Sequence, residues 1–496
     1  MVNEENIRLI FGLKVKMLRQ SLHMSLSELA EKTGISVSYL NEIEKGKKYP
    51  KSDKIGVLAQ ALNTTYEWLI SLKLTKNLTP LANFLRSNIL SELPLEVFGV
   101  SPRSILELFS DTPSKLNAFV TTAFDLARNH NITLQDFYFL ALRSYQEMHN
   151  NYFEEIEKSV LDFREKYLGN RPITLEQLYV YAKREIGFEI DETSFADFPQ
   201  LQSYRSFAKI EKKHKRLYLN HLLNNRQKSF ILAREAGYHF MGIVERSMSY
   251  PWLKTESFDE LLNNYKATYF AGALMIPETD LSADLRNIFQ NETWEPHLVL
   301  RLLDKYNASP EMLMQRIATV CANRLGIQRL FYSRITHEVG SPKFILNKEM
   351  HLGGLHTPHS TVLEEHYCRR WLGINIIQEL EKQIARGIYQ KPIIGIQVSY
   401  YMDSTNQYLV ISLARPLYPT PNINCSISIG FLIDEEFKQK CKFLNAPNVP
   451  ERFVNGTCER CSSVDCEERA APPIRLMMTK KQEAIQEAFY KLARRY

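Results

Sequence analysis

Three cysteines near the end of the 496-residue sequence have a spacing that suits metal binding. Cys458, Cys461 and Cys466 form a C-x2-C-x4-C pattern, which lets three thiolates face one tetrahedral ion. We expect a metal here, zinc in preference to an iron–sulfur cluster. The alternative is three unligated thiols in a turn. The candidates for a fourth ligand are Cys425, which we carry forward, and Cys441, His351, His356 and His359.

A second candidate site lies in the segment R-Q-K-S-F-I-L-A-R-E-A-G-Y-H-F, residues 226–240. With the later segment Y-K-A-T-Y-F-A-G-A-L-M-I-P, it resembles the ImmA/IrrE-type zinc peptidase-like family. That family uses two His four residues apart on one helix, a Glu as general base and a third ligand from another helix. The resemblance implies that Arg234 and Tyr238 replace the two His, that Asn264 replaces the third ligand, and that Glu235 is retained.

These replacements predict a protein that is not an active peptidase. Arg234 would repel Zn²⁺, and His239 follows the second ligand position by one residue. Because one residue rotates a helical side chain by about 100°, His239 should point away from the metal face. Two readings remain open, a buried ion pair or polar groups lining a ligand pocket. The pocket candidates are Arg234, Glu235, Tyr238, His239 and Asn264.

The N-terminal residues 6–70 predict five short helices, and the second and third are separated by a recognisable tight turn. Ser25 and Ser36 are good N-caps, and Gly34 tolerates the tight turn between the two helices. The segments LSELAEKTGIS and SYLNEIEKGKKYP, with IGVLAQALNTTYEWL after them, resemble the Cro/XRE-type helix-turn-helix family.

In that family the second helix of the pair enters the major groove, and its N-terminal side chains contact base edges. The resemblance therefore implies a double-stranded DNA partner. Base or phosphate contacts are expected from Ser36, Val37, Ser38, Tyr39, Asn41 and Glu42. Phosphate contacts, which position the protein without specifying sequence, are expected from Lys45, Lys47, Lys48 and Lys51.

Composition places these motifs in a globular, cytoplasmic chain. The net charge of +6 is small for this length, so a local module must supply any affinity for DNA. The sequence start lacks a signal-peptide pattern, and no apolar run is long enough to span a membrane. Seven cysteines in such a chain indicate reduced thiols or a metal site.

Residues 76–170 show apolar periodicity typical of helices. Examples are 104–109, 118–124 and the tract from Thr133 to Tyr167, which predicts one or two long amphipathic helices. Most of this connector is expected to be ordinary helical core. Because a helix-turn-helix reaches two half-sites as a dimer, we also expect it to act as a homodimerisation arm.

Beyond residue 325 the pattern changes to strands at 329–334, 393–401, 408–414 and 426–433. The fold is therefore predicted to be mainly α with an α+β C-terminal part. Four segments are expected: a helix-turn-helix domain over 1–75, the connector over 76–170, a degenerate zincin-like domain over 171–325, and a sensor-like domain with one antiparallel sheet and the Cys cluster over 326–496.

The order of these segments is similar to the short-chain fatty acyl transcriptional regulator family, which ends in C-x2-C-x4-C followed by R-A-x-P. In this chain the R-A-x-P pattern is Arg469-Ala470-Ala471-Pro472. The resemblance implies control of short-chain acyl and carbon metabolism genes by an acyl-CoA-like effector. Two alternatives are a regulator that answers to a protein partner in a phage or stress system, and a metalloprotease that cleaves a repressor.

Overall fold

The computed structural model describes residues 4–71, 133–169, 171–211, 214–251, 257–352, 365–402, 404–420, 422–463 and 465–494. The chain forms two compact units. One is Met1–Tyr145 with Glu256–Asp259, and the other is Gln146–Thr255 with Glu260–Tyr496. Among the described helices, none combines the length and apolar character that a membrane-spanning segment requires.

The predicted five-helix head is present at the N-terminus. Its helices are α1 Glu4–Ser21, α2 Leu26–Thr33, α3 Val37–Glu44, α4 Ser52–Ala61 and α5 Tyr66–Ile70. Ser25 and Glu28 form a reciprocal capping box at the start of α2, and Gly34 ends α2 with a φ of +67°. One apolar core, which includes Leu29, Leu40 and Ile43, joins the helices.

The predicted Thr133–Tyr167 tract forms two helices, which are α6 Leu134–Met148 and α7 Glu154–Tyr167. Buried positions recur along α7 at three- and four-residue spacing, as an amphipathic helix requires. The expected helical segments at 104–109 and 118–124 lie outside the described residues.

The peptidase-like region combines a small sheet with helices. Its elements are α8 Leu175–Tyr181, β1 Phe188–Asp191, β2 Ser206–Ile210, β3 Lys215–Leu219, α9 Asn225–Phe240, β4 Ser249–Tyr250, α10 Phe258–Met275, α11 Glu278–Phe289, α12 Pro296–Lys305 and α13 Pro310–Arg324. The strand order is β1-β3-β2-β4. Only β1–β3 is parallel. Gly237 lets α9 approach α10 closely, since a Cβ there would lie 2.9 Å from the Phe270 ring.

The C-terminal region contains the predicted sheet. Its elements are β5 Leu330–Glu338, β6 Phe344–His351, α14 Leu372–Ala385, β7 Ile393–Tyr401, β8 Gln407–Pro416, β9 Ile423–Leu432, α15 Glu435–Lys440, β10 Glu451–Val454 and α16 Ile474–Ala493. The strand order is β10-β7-β8-β9-β5-β6. The expectation of a fully antiparallel sheet was wrong, because β10 pairs with β7 in parallel. β9 runs in the same direction as β7, because both are antiparallel to β8. After β9 the chain crosses through α15 and returns in that direction, so β10 pairs with β7 in parallel.

Candidate DNA-binding and effector sites

The third helix of the head presents its N-terminal end to solvent. The Ser36 hydroxyl accepts a hydrogen bond from the Tyr39 amide at 3.2 Å, which satisfies one of the free N–H groups at the helix start. Ser36, Val37 and Ser38 are exposed, whereas Leu40 is fully buried. An exposed Val37, with 43% of its surface accessible, is available for an apolar contact such as a thymine methyl group.

An ion pair fixes the orientation of α3. The guanidinium of Arg19 on α1 donates from Nε and Nη2 to the two carboxylate oxygens of Glu44, at 2.6 and 2.9 Å. Both side chains are largely buried, so this bidentate pair ties the C-terminal end of α3 to α1. Gly12 allows the same helices to touch, since a Cβ at this position would lie 2.2 Å from the Ile43 carbonyl oxygen.

Basic residues follow the C-terminal end of α3. Lys45, Lys47, Lys48 and Lys51 are all exposed, as phosphate contacts require. Glu42 is half-buried and lies 4.0 Å from the Lys47 ammonium. Lys54, which was not predicted, lies 4.6 Å from the centre of the Tyr39 ring. Tyr39 and Asn41 are half-buried, so only part of each side chain faces solvent.

Arg234, Tyr238 and Asn264 form one buried hydrogen-bond network. Arg234 Nη2 donates to Asn264 Oδ1 at 2.7 Å and to the Tyr238 hydroxyl at 3.2 Å. The Tyr238 hydroxyl also donates to Asn264 Oδ1. Burial disfavours the charged guanidinium, but Tyr238, Glu235 and Tyr250 nevertheless raise the pKa of Arg234 above its ordinary value.

Glu235 is committed to an ion pair. Its two carboxylate oxygens accept from Arg246 at 2.5 and 2.7 Å, and both side chains are buried. His239 does not join this group, because its Nδ1 lies 3.0 Å from the Tyr181 hydroxyl on α8. This agrees with the helical rotation described above, and a role for His239 in a ligand pocket stays a prediction.

Arginines from several elements converge on Tyr250. The guanidinium carbons of Arg234 and Arg205 lie 4.3 and 5.6 Å from the centre of its ring. Arg334 on β5 also interacts electrostatically with Tyr250. Cations over an aromatic face are stabilised by the ring's electron density, so Tyr250 holds several positive charges in one place.

The basic cluster continues onto the C-terminal sheet. Glu311 lies 3.0 Å from the Lys348 ammonium and 3.8 Å from Arg334. Although burial opposes it, the positive charge of Arg334, Lys348 and Arg205 holds the pKa of Glu311 well below its usual range. Arg415 on β8 interacts electrostatically with Cys425, as do Arg334 and Arg205.

This group, here called the basic cluster, has more cations than carboxylates. Its cations are Arg205, Arg234, Arg246, Arg334, Lys348 and Arg415, and its carboxylates are Glu235 and Glu311. Among the described residues, the Nε groups of Arg234, Arg334 and Arg415 are buried without a hydrogen-bond partner. A buried N–H donor without an acceptor is costly, so these three Nε groups and the excess of cations suit an anionic ligand.

The C-terminal cysteines lie in a loop that is closely packed. Cys458 and Cys461 are buried and Cys466 is half-buried. The guanidinium of Arg469 donates to the carbonyl oxygens of Cys458 and Cys461, at 2.7 and 3.1 Å. The Ala470 amide donates to Cys458 Sγ at 3.3 Å. Within the described ranges, no three His, Cys, Asp or Glu side chains are arranged to hold a metal ion, so a metal here stays a prediction.

Cys425 and Cys368 have different charged neighbours. Cys425, on β9 opposite Arg415, interacts electrostatically with Arg415, Arg334 and Arg205. Burial raises the pKa of Cys368 to about 11, and Cys458 and Cys461 add to that shift. Cys425 as the fourth ligand therefore stays a prediction, while Cys368 lies beside Cys458 and Cys461.

Sequence reasoning missed residues from distant segments that lie in the basic cluster or beside the C-terminal cysteines. Arg246, Tyr250, Arg334, Arg415 and Cys368 belong to loops and strands with no motif around them. Their roles depend on strand register and helix packing, which spacing along one segment does not reveal. Arg246 alone carried a weak signal, since a buried Glu235 needs a nearby cation.

Comparison with known proteins identifies two domains. Residues 15–69 match the helix-turn-helix family, and residues 192–318 match the IrrE N-terminal-like domain. Two proteins described as uncharacterised HTH-type transcriptional regulators, from two strains of Mycobacterium tuberculosis, are 34% identical over 58 residues. That alignment covers 12% of this chain and 41% of each relative.

Among solved structures, a Mycobacterium tuberculosis transcriptional regulator is similar at 15% sequence identity, with a TM-score of 0.48. The alignment covers 67% of this chain and 94% of that one. The chain thus contains a Cro/XRE-type helix-turn-helix domain and an IrrE-like domain.

Proposed function

We propose that this protein is a sequence-specific, DNA-binding transcriptional regulator with a non-catalytic effector-binding part. The observation that carries the proposal is the exposed, capped N-terminal end of α3, held rigidly by the Arg19–Glu44 pair. A firmly held helix, with exposed small and apolar side chains at its N-terminal end and lysines after its C-terminal end, suits the major groove.

Selection from a random duplex library with the full chain tests this function. The expected result is enrichment of one motif, whose affinity falls steeply with salt because lysine–phosphate contacts release counterions. Equal binding to all sequences at moderate ionic strength would contradict the proposal.

The peptidase-like region and the C-terminal sheet together form the effector-binding part. The buried Arg234–Tyr238–Asn264 network replaces a metal-ligand set, and Glu235 is neutralised by Arg246. Without a free carboxylate as general base, the region is suited to binding and not to peptide hydrolysis. Its role is to sense a ligand.

The excess positive charge of the basic cluster favours an anionic effector, and the short-chain acyl-CoA class fits because its phosphates pair with arginines. The regulated genes would then belong to short-chain acyl and carbon metabolism. DNA affinity measured with and without a panel of acyl-CoAs tests this. Arg334→Met should abolish the response, whereas Arg216→Met, an exposed pair with Glu189, should leave it intact. No response to any acyl-CoA would remove this effector class.

A metal at the C-terminal cysteines, with zinc preferred, is part of the same proposal. Support comes from the proximity of Cys368 to Cys458 and Cys461, and from the hydrogen bond to Cys458 Sγ. Metal analysis of the purified protein should find one site that Cys458→Ser removes. Retention of the same metal content in Cys458→Ser would contradict it.

The regulator is further proposed to act as a homodimer through the connector arm, in the cytoplasm. Exposed apolar residues on α6, with Leu140 at 51% and Phe137 at 37% accessibility, support a contact surface there. Leu140→Glu should reduce cooperative binding to a two-half-site operator and leave half-site affinity unchanged. Unaltered cooperativity would exclude this surface.

A further inference from the structure

One carboxylate in the basic cluster faces three cations. Among the described residues, Glu311 in the first turn of α13 is the only acid within 4 Å of Arg334 or Lys348. Its Oε1 atom is 3.0 Å from Lys348 Nζ and 3.8 Å from Arg334 Nη1. Arg205 adds a third positive charge to the surroundings of the same carboxylate. A single negative charge therefore balances only part of the positive charge at this point.

Strand pairing places two of these cations side by side. Arg334 on β5 and Lys348 on β6 are directly opposite each other in the antiparallel register. Like charges in directly opposed positions destabilise a pair of strands. The carboxylate that bridges them comes from α13, which is a helix outside the sheet. The sheet thus presents a positive site, and Glu311 occupies it from a neighbouring element.

The cations at this site retain unused hydrogen-bond donors. The 3.8 Å that separates Arg334 Nη1 from Glu311 is too long for a hydrogen bond. Arg334 Nε is buried without an acceptor in the described part of the chain. A guanidinium has five N–H donors in a planar fork, and a phosphoryl group accepts such donors in pairs while carrying up to about two negative charges. A phosphoryl group therefore matches these cations better than one carboxylate does.

Solvent reaches this site, in contrast to the second acid–arginine pair that involves α13. The side chains of Lys348, Arg334 and Glu311 are 44%, 18% and 17% accessible, whereas those of Arg316 and Glu157 are 4% and 9% accessible. Both oxygens of Glu157 accept from Arg316, at 2.5 and 2.9 Å. A dissolved anion can therefore approach Lys348 and Arg334 but not Arg316.

We propose that a phosphoryl group of the effector binds between Arg334 and Lys348 by displacing the carboxylate of Glu311. This inference rests on the proposed anionic effector and adds to it a residue that opposes binding. Because the carboxylate and the phosphoryl group compete for the same cations, Glu311 lowers the affinity for the effector. Glu311 thereby sets the effector concentration at which the protein responds.

Titration calorimetry of the full chain with inorganic pyrophosphate tests this competition. Glu311→Gln removes the competing charge at nearly constant size, so it should bind pyrophosphate at least about tenfold more tightly than the wild type. Lys348→Gln removes a charged donor and should bind it about tenfold more weakly. Glu157→Gln is the matched control, because it removes a carboxylate from the inaccessible pair, and it should bind pyrophosphate as the wild type does.

Thermal unfolding provides a second measurement on the same variants. Glu311→Gln and Glu157→Gln should both unfold at a lower temperature than the wild type, because each leaves buried positive charge without a countercharge. Pyrophosphate should restore much of this loss in Glu311→Gln and none in Glu157→Gln. Equal recovery of the two variants would overturn the proposal.

The remaining outcomes separate this inference from the proposed function. Equal affinity of the wild type and Glu311→Gln for pyrophosphate, or no loss of affinity in Lys348→Gln, would overturn the displacement of Glu311. Coenzyme A should show the same gain in Glu311→Gln if its phosphates are the source, and a gain with pyrophosphate alone would assign the site to a smaller phosphoryl compound. If that gain is found but no acyl-CoA changes DNA affinity, competition at Glu311 stands and only the acyl-CoA class fails.

Discussion

The head and the α9–α10 pair both present residues at fixed helical spacing, but they expose them very differently. Ser36, Val37 and Ser38 face solvent at the start of α3. Arg234 and Glu235 are almost completely buried and are satisfied by remote groups. The role of an exposed motif can be predicted from one segment, because its binding partner is another molecule. The role of a buried motif depends on the residues that the fold packs against it.

The largest expected effect concerns the buried pair. Glu235→Gln should destabilise the protein by about 3–5 kcal/mol, because it leaves Arg246 buried without a countercharge. Urea unfolding measures this. The double variant Glu235→Gln/Arg246→Met should recover most of the loss. A Glu235→Gln protein that stays fully stable but loses a peptidase activity would contradict this prediction. In that case Glu235 would serve catalysis and not the packing of the buried pair.

A smaller effect tests how rigidly the head holds α3. Gly12→Ala should cost about 1–3 kcal/mol, since the new Cβ would meet the Ile43 carbonyl oxygen and force α1 away from α3. Gly56→Ala is the matched control in α4, where nothing lies within 4 Å, and it should stabilise the helix by up to about 1 kcal/mol. Equal thermal stability of the two variants would show that the α1–α3 contact is not tight.

A third effect is a pH dependence in the head. Lys14 is buried and donates to the Trp68 and Ser71 carbonyl oxygens at 2.6 and 2.5 Å. Burial lowers the pKa of Lys14 to about 8 from an ordinary 10.5. Between these two values the unfolded chain binds more protons than the folded chain, so stability rises with pH.

Lys14→Met removes this titration. The difference in unfolding free energy between wild type and Lys14→Met, measured by circular dichroism, should therefore be constant below about pH 8. It should shift in favour of the wild type from pH 8 to 10.5. A difference that stays the same at pH 7.5 and 10.5 would mean that Lys14 titrates normally.

Much of the fold followed from periodicity alone. The predicted strand 393–401 is β7, and the five helices predicted within residues 6–70 are α1 to α5. In contrast, β6 was missed, because its edge position leaves it mostly exposed without a regular apolar alternation. The four-residue β10 is too short to carry a pattern.

A site could be predicted from the sequence where its residues lie within one short segment or one family motif. The α3 residues lie where a helix-turn-helix places them, and Arg234, Tyr238 and Asn264 do come together. Cys425 was chosen by residue type, and only the fold shows that its charged neighbours are Arg415, Arg334 and Arg205. Long-range contacts of this kind have no signature in the spacing of one segment.

Binding of the selected duplex and of random duplex to two variants of α3 and its flank tests the central claim most directly. Asn41→Ala should reduce the preference for the selected duplex, by about 1–3 kcal/mol if its amide contacts a base edge. Lys48→Ala should weaken binding to both duplexes equally and lower the salt slope by about one. If both variants bound the two duplexes as the wild type does, α3 would not be the DNA-reading element.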